Sequence, residues 1–249
     1  MPEASHAQAI AALGHLGTLR VWSLLVTVFG DLAPDQPIDG PTLTTIMAAI
    51  GIKPEATRVA LHRLRADGWI TSEKFGRISR HRLSPKAQAD SDRARPLIYG
   101  PVPQDNDLQL ILMPDGNSVP DPQNFARVSA RLFAGLRSIA PPTQAAILHV
   151  NTLPDWFVTQ VETEDLRRAY VALHAVLTQI TQSAVMHGDL GPRHQAVLRV
   201  MIVHAWRRLA LRHPLLPAVA HSRDWMGHAC RVKVTALLDA APRPPLDRI

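Results

Sequence analysis

The stretch from Thr42 to Leu83 constrains the fold most. Leu43, Ile46, Met47 and Ile50 recur on one helical face, and Gly51 ends the run. A short connection, Gly51-Ile52-Lys53, leads to Pro54, which suits the first position of a helix because its missing N–H has no partner there in any case. That helix runs to Asp67 and stops at Gly68. Two β-rich runs, 69–75 and 77–83, then flank Gly76 as the strands of a hairpin. Short helix, tight turn, longer helix and hairpin is the order of a winged helix-turn-helix. Upstream, residues 17–32 read as a buried helix, opened by a capping Thr18 and closed at Gly30-Asp31.

Charge singles out the same stretch. The chain's formal charge is +6, and residues 53–86 carry all of it: nine Lys/Arg stand there against Glu55, Asp67 and Glu73, while the rest balances. Cations concentrated in one short segment favour a nucleic-acid face over general solubility, and with the helix-turn-helix order the expected partner is double-stranded DNA. At about 100° per residue from Arg58, His62 and Arg65 fall within roughly 40° of it, so the three share one face. Ala56, Ala60 and Leu64, flanked by Val59 and Leu61, make the expected anchoring side. Arg63 projects beside them and is expected to pack inward, paired with Asp67 or Asp31. In the hairpin, Lys74, Arg77, Arg80 and Arg82 surround the turn, with Arg80 and Arg82 on one side and Ser79 and His81 on the other. The DNA-binding candidates are therefore Arg58, His62 and Arg65 for the helix, with Lys74, Arg77, Arg80 and Arg82 for the wing.

With 249 residues, 46% hydrophobic and 19% charged, the chain suits two or three globular domains and neither a disordered protein nor a fibre. It has no long apolar run for a membrane span, and its start lacks a basic leader, so a cytoplasmic protein is expected. The single Cys230 excludes an internal disulfide and multi-cysteine metal sites, and reads as a small buried apolar side chain. Ser84-Pro85-Lys86 and the polar stretch to Pro96 read as a linker or connecting helix. Beyond it come a strand at 107–113, a helix carrying Phe125, Val128, Leu132 and Leu136, and strands at 145–150 and 156–161, a β-α-β-β order. Helical periodicity returns at 163–183, 192–212 and 222–240, and the Pro-rich end from Ala241 reads as a loose tail. The expected class is α+β, in segments 1–90, 91–162 and 163–249.

Three motifs, Trp22 to Asp31, Arg58 to Trp69 and Gly76 to Leu83, resemble the PaaX family of bacterial transcriptional repressors. A later stretch, His204 to Pro217 followed by Asp224-Trp-Met-Gly227, looks like that family's C-terminal motif. His81 stands where the family more often has a tyrosine, and Leu108-Gln109 lacks the usual tryptophan. The resemblance implies a winged-helix domain, a ferredoxin-like middle domain and an all-helical C-terminal domain, acting as a homodimer. It implies repression of phenylacetate catabolic genes, relieved by an acyl-coenzyme A, phenylacetyl-coenzyme A. Two recognition helices would then enter successive major grooves of an inverted-repeat operator.

A coenzyme A effector would need cations for its phosphates and an apolar slot for its acyl group. Arg207, Arg208 and Arg212 are the candidates for the first, and Trp206, Trp225 and Met226 for the second. The family's middle domain is also similar to a metal-dependent nuclease, which would need an acidic ligand at the end of the first strand. That strand ends Leu112-Met113-Pro114, and Asp115 already lies in a turn, so no enzyme activity is expected. His204, His213, His221 and His228 lack the i, i+4 spacing of helical metal ligands and read as ordinary surface or core residues. Neither a metal nor a cofactor is expected. The alternatives are a related regulator with a different effector and pathway, a nuclease, and a protein- or RNA-docking module.

Overall fold

The computed structural model describes residues 2–104, 107–150, 152–183 and 190–249. Its contacts divide the chain into two compact units: Met1–Arg95, Ala175–Trp206 and Lys233–Ile249 form one, Pro96–His174 and Arg207–Val232 the other. These limits do not follow three consecutive segments. The helices α7 (Glu164–Gln182), α8 (Pro192–Ala210) and α9 (Met226–Ala240) form where periodicity predicts them, and each gives residues to both units. The class is α+β, and among the described residues no helix is long and apolar enough to cross a membrane.

The first unit opens with α1 (Pro2–His15), which the sequence reading does not anticipate, and α2 (Val21–Leu32). Arg20 rather than Thr18 precedes α2 and makes no side-chain cap, and the helix runs through Gly30 to Leu32. Leu24, Leu25, Val28 and Phe29 are buried with Leu43, Ile46 and Met47 of α3 (Gly40–Ala49). The helix α3 starts earlier than Thr42 because Asp39, in the short strand β1 (Ile38–Asp39), accepts a 2.7 Å bond from the Thr42 N–H and caps it. Next comes α4 (Pro54–Ala66), with Pro54 in its first turn. Its end is a Schellman turn, in which Trp69 N–H bonds to Leu64 O at 2.8 Å and Gly68 N–H to Arg65 O at 3.1 Å. Strands β2 (Ile70–Phe75) and β3 (Ile78–Leu83) form the hairpin, with β1 on its outer edge in the order β1-β3-β2. Phe75 faces Ile78 across a two-residue turn whose first residue, Gly76, has φ +62°, a conformation that glycine reaches without strain. Ser84 caps α5 (Pro85–Tyr99) by accepting from the Ala87 N–H, so the Ser-Pro-Lys stretch starts a helix.

A buried ion pair ties the later helices to α2. Arg199 of α8 donates to both oxygens of Asp31 at 2.8 and 3.0 Å, and its third nitrogen bonds the carbonyls of Leu238 and Ala241. Arg243 approaches the same carboxylate at 3.7 Å, and Gln195 donates to Pro242 O. The proline-rich end is therefore fastened by polar contacts, and the loose-tail reading is corrected.

The second unit holds an antiparallel sheet, order β5-β6-β4-β7, built from β4 (Leu108–Leu112), β5 (Phe125–Arg127), β6 (Leu132–Leu136) and β7 (Ala146–Leu148). The expected helix over Phe125 to Leu136 is instead the hairpin β5–β6, with Ala126 opposite Ala134. Apolar residues at i, i+3 and i+7 fit a helix, but Ser129-Ala130-Arg131 between them is the turn of two short strands. The strand expected at 156–161 is the helix α6 (Asp155–Val161), whose Phe157 and Val161 pack with Leu110, Ala126 and Ala134 on one sheet face. Ile111, Phe125 and Phe133 fill the other. The ferredoxin-like expectation thus keeps a four-stranded antiparallel sheet and loses its intervening helix.

Candidate nucleic-acid interface

On α4 the buried arc is Thr57, Ala60, Leu61 and Leu64, which pack toward α2 and α3. This arc sits about 50° round the helix from the anchoring side that Ala56, Ala60 and Leu64 suggest. The exposed arc is consequently wider than the sequence reading has it. Arg58, His62 and Arg65 lie on it, and so do Val59 and Arg63. Arg63 is corrected from a packed to a solvent-exposed residue: its side chain is 74% exposed and stands 3.6 Å from Asp67. Arg58 lies 3.8 Å from Glu55 with both side chains equally open, a contact worth a few tenths of a kcal/mol and easily exchanged for a phosphate or base.

The helix and the wing are neighbours. α4 packs on β2, and the Arg65 charge is felt at His81 on β3. His81 sits on the inner side of the hairpin, 9% exposed, with Nδ1 2.8 Å from the Ser72 hydroxyl. Burial, then Arg65, lowers its pKa, which favours the neutral imidazole on this side of the wing. Arg80 and Arg82 point to the opposite side, as strand alternation requires. Lys74, Arg77 and Arg82 are exposed. Arg80 is half-buried, with its guanidinium 3.9 Å above the Phe75 ring, whose own 60% exposure places an aromatic group at the hairpin tip. Phe75 is not singled out from sequence, and Val59, expected beside the anchoring residues, is corrected to the exposed arc: with the buried side centred on Thr57 and Leu61, it faces the opposite way.

The C-terminal candidates behave differently. Trp206 is 1% exposed, a core residue of the first unit. In the second unit Arg207 and Arg208 are half-buried and Arg212 exposed, and burial lowers the Arg207 pKa. Trp225 stacks on His221 at 4.4 Å, nearly parallel, and meets Tyr170 edge-on at 4.8 Å. A Cβ on Gly227 would come within 2.5 Å of that indole, so the glycine of the Asp-Trp-Met-Gly motif makes room for the ring. Below the stack, buried Glu162 accepts from Ser222 N–H and Oγ at 2.8 and 2.7 Å and lies 3.0 Å from His221 Nδ1. Burial alone would raise the Glu162 carboxyl, but those hydrogen bonds outweigh it and hold the pKa below the usual glutamate range. His213 and His228 are spent on the carbonyls of Val161 and Leu216. Arg167 pairs with Asp224. Asp115 accepts from the N–H groups of Asn117 and Ser118, as a turn residue does. Among the described residues, no three His, Cys, Asp or Glu side chains are grouped to hold a metal.

Comparison with known proteins matches both of these segments. The profile of the PaaX-like protein family matches residues 20–87, which hold α2 through the wing. The profile of the PaaX-like protein C-terminal domain matches residues 162–241. The chain is 25% identical over 244 residues to the transcriptional repressor PaaX of Escherichia coli (strain K12), covering 84% of this chain and 76% of that one. Among solved structures, an uncharacterized protein from Mycobacterium tuberculosis shares the fold with a TM-score of 0.53 at 19% identity, over 88% of this chain and 96% of its own. The segment that carries the exposed cations and the segment that carries the Glu162 and Trp225 network are both matched, and the chain belongs to the PaaX-like protein family.

Proposed function

We propose that the chain is a PaaX-type transcriptional repressor that binds double-stranded DNA through α4 and its wing. The observation that carries this reading is the exposed cationic surface: Arg58, His62, Arg63 and Arg65 on the helix, with Lys74, Arg77 and Arg82 on the hairpin, facing few carboxylates. In this reading α4 lies in the major groove with Arg58 and Arg65 on base edges, and the wing holds phosphates or the adjacent minor groove. The protein works in the cytoplasm as a homodimer on an inverted repeat. Phenylacetyl-coenzyme A, or another aryl thioester, releases it by preferring the arrangement that does not bind DNA. Its acidic groups would meet Arg207, Arg208 or Arg212; Trp206 and Trp225, already enclosed by core and stacking contacts, are poor candidates for the acyl slot.

The test is selection of duplexes from a random-sequence pool by the full-length protein, followed by anisotropy titration. A selected duplex with two related half-sites is expected, and Arg58→Ala should weaken it by about 1–3 kcal/mol while relaxing its base preference. Failure to enrich any sequence, or wild-type affinity in Arg58→Ala, would overturn the reading. Thermal shifts with coenzyme A, acetyl-coenzyme A and phenylacetyl-coenzyme A then test the effector, with a rise confined to the aryl thioester expected.

A further inference from the structure

One apolar side chain stands in the middle of the cationic arc of α4. Val59 is 69% exposed, in a helix whose other large apolar residues, Leu61 and Leu64, are buried. Its neighbours one turn away are the exposed Glu55, His62 and Arg63 and the half-buried Ala56, and Arg58 adjoins it in sequence. Nothing in the fold rewards a valine here. A β-branched residue is a poorer helix former than alanine, and an exposed one recovers no burial energy from its methyl groups. What valine adds is two methyl groups held in a narrow range of directions, because its χ1 is nearly fixed in a helix.

The partner that suits an isolated apolar group on an arginine-bearing helix face is polyanionic with a small apolar spot. A protein partner would call for a contiguous apolar patch, and the only apolar side chains near Val59 on its arc are the small Ala56 and Ala66. The major groove supplies the other case: among the four base pairs its one apolar feature is the C5-methyl group of thymine. Val59 also lies in the first half of a helix that starts at Pro54, the part of a recognition helix that reaches base edges.

Resting on the repressor reading above, we infer that Val59 is a specificity-determining residue that reads a thymine methyl group in each half-site. Arg58 and Arg65 would fix hydrogen-bonding bases, while Val59 separates thymine from cytosine at a position those arginines do not reach. Deoxyuridine differs from thymidine only by that methyl group, which makes the inference testable one atom at a time. In the selected duplex, each thymine is replaced in turn by deoxyuridine, and full-length wild type, Val59→Ala, Val59→Ile and Arg58→Ala are titrated against the set. Wild type should lose about fourfold at one thymine per half-site, the worth of one buried methyl group. Val59→Ala should bind thymine and uracil at that position within twofold of each other. Val59→Ile and Arg58→Ala should keep the discrimination, the latter from a weaker baseline. Wild type indifferent to every replacement, or Val59→Ala retaining the same fourfold loss at the same thymine, would overturn the inference and leave the repressor reading standing. A uniformly weaker Val59→Ala with an unchanged thymine-to-uracil ratio would overturn it too, by showing a merely structural role. If no duplex is enriched, the repressor reading itself has failed.

Discussion

Two stretches of this chain are rich in Arg and His, residues 58–82 and 207–231, and the fold treats most of these side chains in opposite ways, with Arg80 and His81 in the first and Arg212 in the second among the exceptions. In the first, Arg58, His62, Arg63, Arg65, Lys74, Arg77 and Arg82 are all exposed, and the two carboxylates within ion-pair reach are surface partners one turn away. In the second, Arg231 donates to the carbonyls of Gly100 and Leu97, and His213, His221 and His228 each lie against a buried acceptor. The residue types are the same. What differs is whether the fold delivers acceptors from far along the chain, and for 207–231 it delivers Glu162, Val161, Leu97 and Gly100. Polar side chains supplied with internal partners stabilise the protein; those left without them are available to something outside it.

The sharpest contrast is between a buried and an exposed ion pair. Asp31→Ala leaves the Arg199 guanidinium buried without its bidentate partner. Urea unfolding should show a loss of about 3–5 kcal/mol, the cost of stranding a buried charge. A loss under 1 kcal/mol would mean that water or Arg199's two carbonyl acceptors replace the carboxylate.

Acidity probes the second stretch directly. Burial, reinforced by His221, pushes the His213 imidazole from its ordinary 6.5 down to about 4. As pH falls, the unfolded chain takes up this proton before the folded one. The His213 contribution is therefore complete above about pH 6.5 and drains away between about 6.5 and 4, by up to about 3 kcal/mol. Urea midpoints at pH 7 and pH 5 should fall less steeply for His213→Gln than for wild type. They should not become flat, because His6 and His81 are also held below their ordinary values by burial. Equal slopes for the two proteins would show that His213 titrates normally in the fold.

The first stretch was legible because its signals are local. Pro54, Gly68 and Gly76 punctuate α4 and the hairpin, apolar spacing sets the buried face, and strand alternation separates Arg80 from His81. The signals failed where a partner lies far away in sequence. Asp31 in the apolar helix α2 was a sign of a buried cation, but only the fold identifies it as Arg199, 168 residues on. The Glu162 network was invisible for the same reason, since its histidines have no helical spacing to betray them. In the middle of the chain, Phe125 to Leu136 satisfied two periods at once, and the hairpin won because Ala126 and Ala134 pair across it. Arg63 was misplaced by an error of about half a helical step in the wheel, enough to exchange a packed residue for an exposed one.

On the DNA-binding surface, effects on stability should vanish while effects on binding remain. Arg77→Ala, at the hairpin tip and exposed, should leave the urea midpoint unchanged. In anisotropy titrations it should weaken selected and unrelated duplexes alike and reduce the slope of log affinity against log salt by about 1, as loss of one phosphate contact does. A selective effect on the enriched duplex alone would move Arg77 from backbone to base contact.

The smallest expected effect is the one that best isolates the contrast. Asp67 pairs with Arg63 at the surface, but it also sits at the C-terminal end of α4, where the helix dipole disfavours a negative charge. Asp67→Asn removes a weak attraction and a weak repulsion together, so stability should change by less than about 0.5 kcal/mol in either direction. The same substitution frees a cation on the proposed interface and deletes one of only three acids in the segment 53–86. Affinity for unrelated duplexes at low salt should therefore rise, while Asp31→Ala, at the buried pair, should act on unfolding and not on DNA affinity at temperatures where the protein stays folded. If Asp67→Asn cost more than 1 kcal/mol and left DNA affinity unchanged, the surface of α4 would be behaving like the buried network, and the opposition between the two stretches would fail.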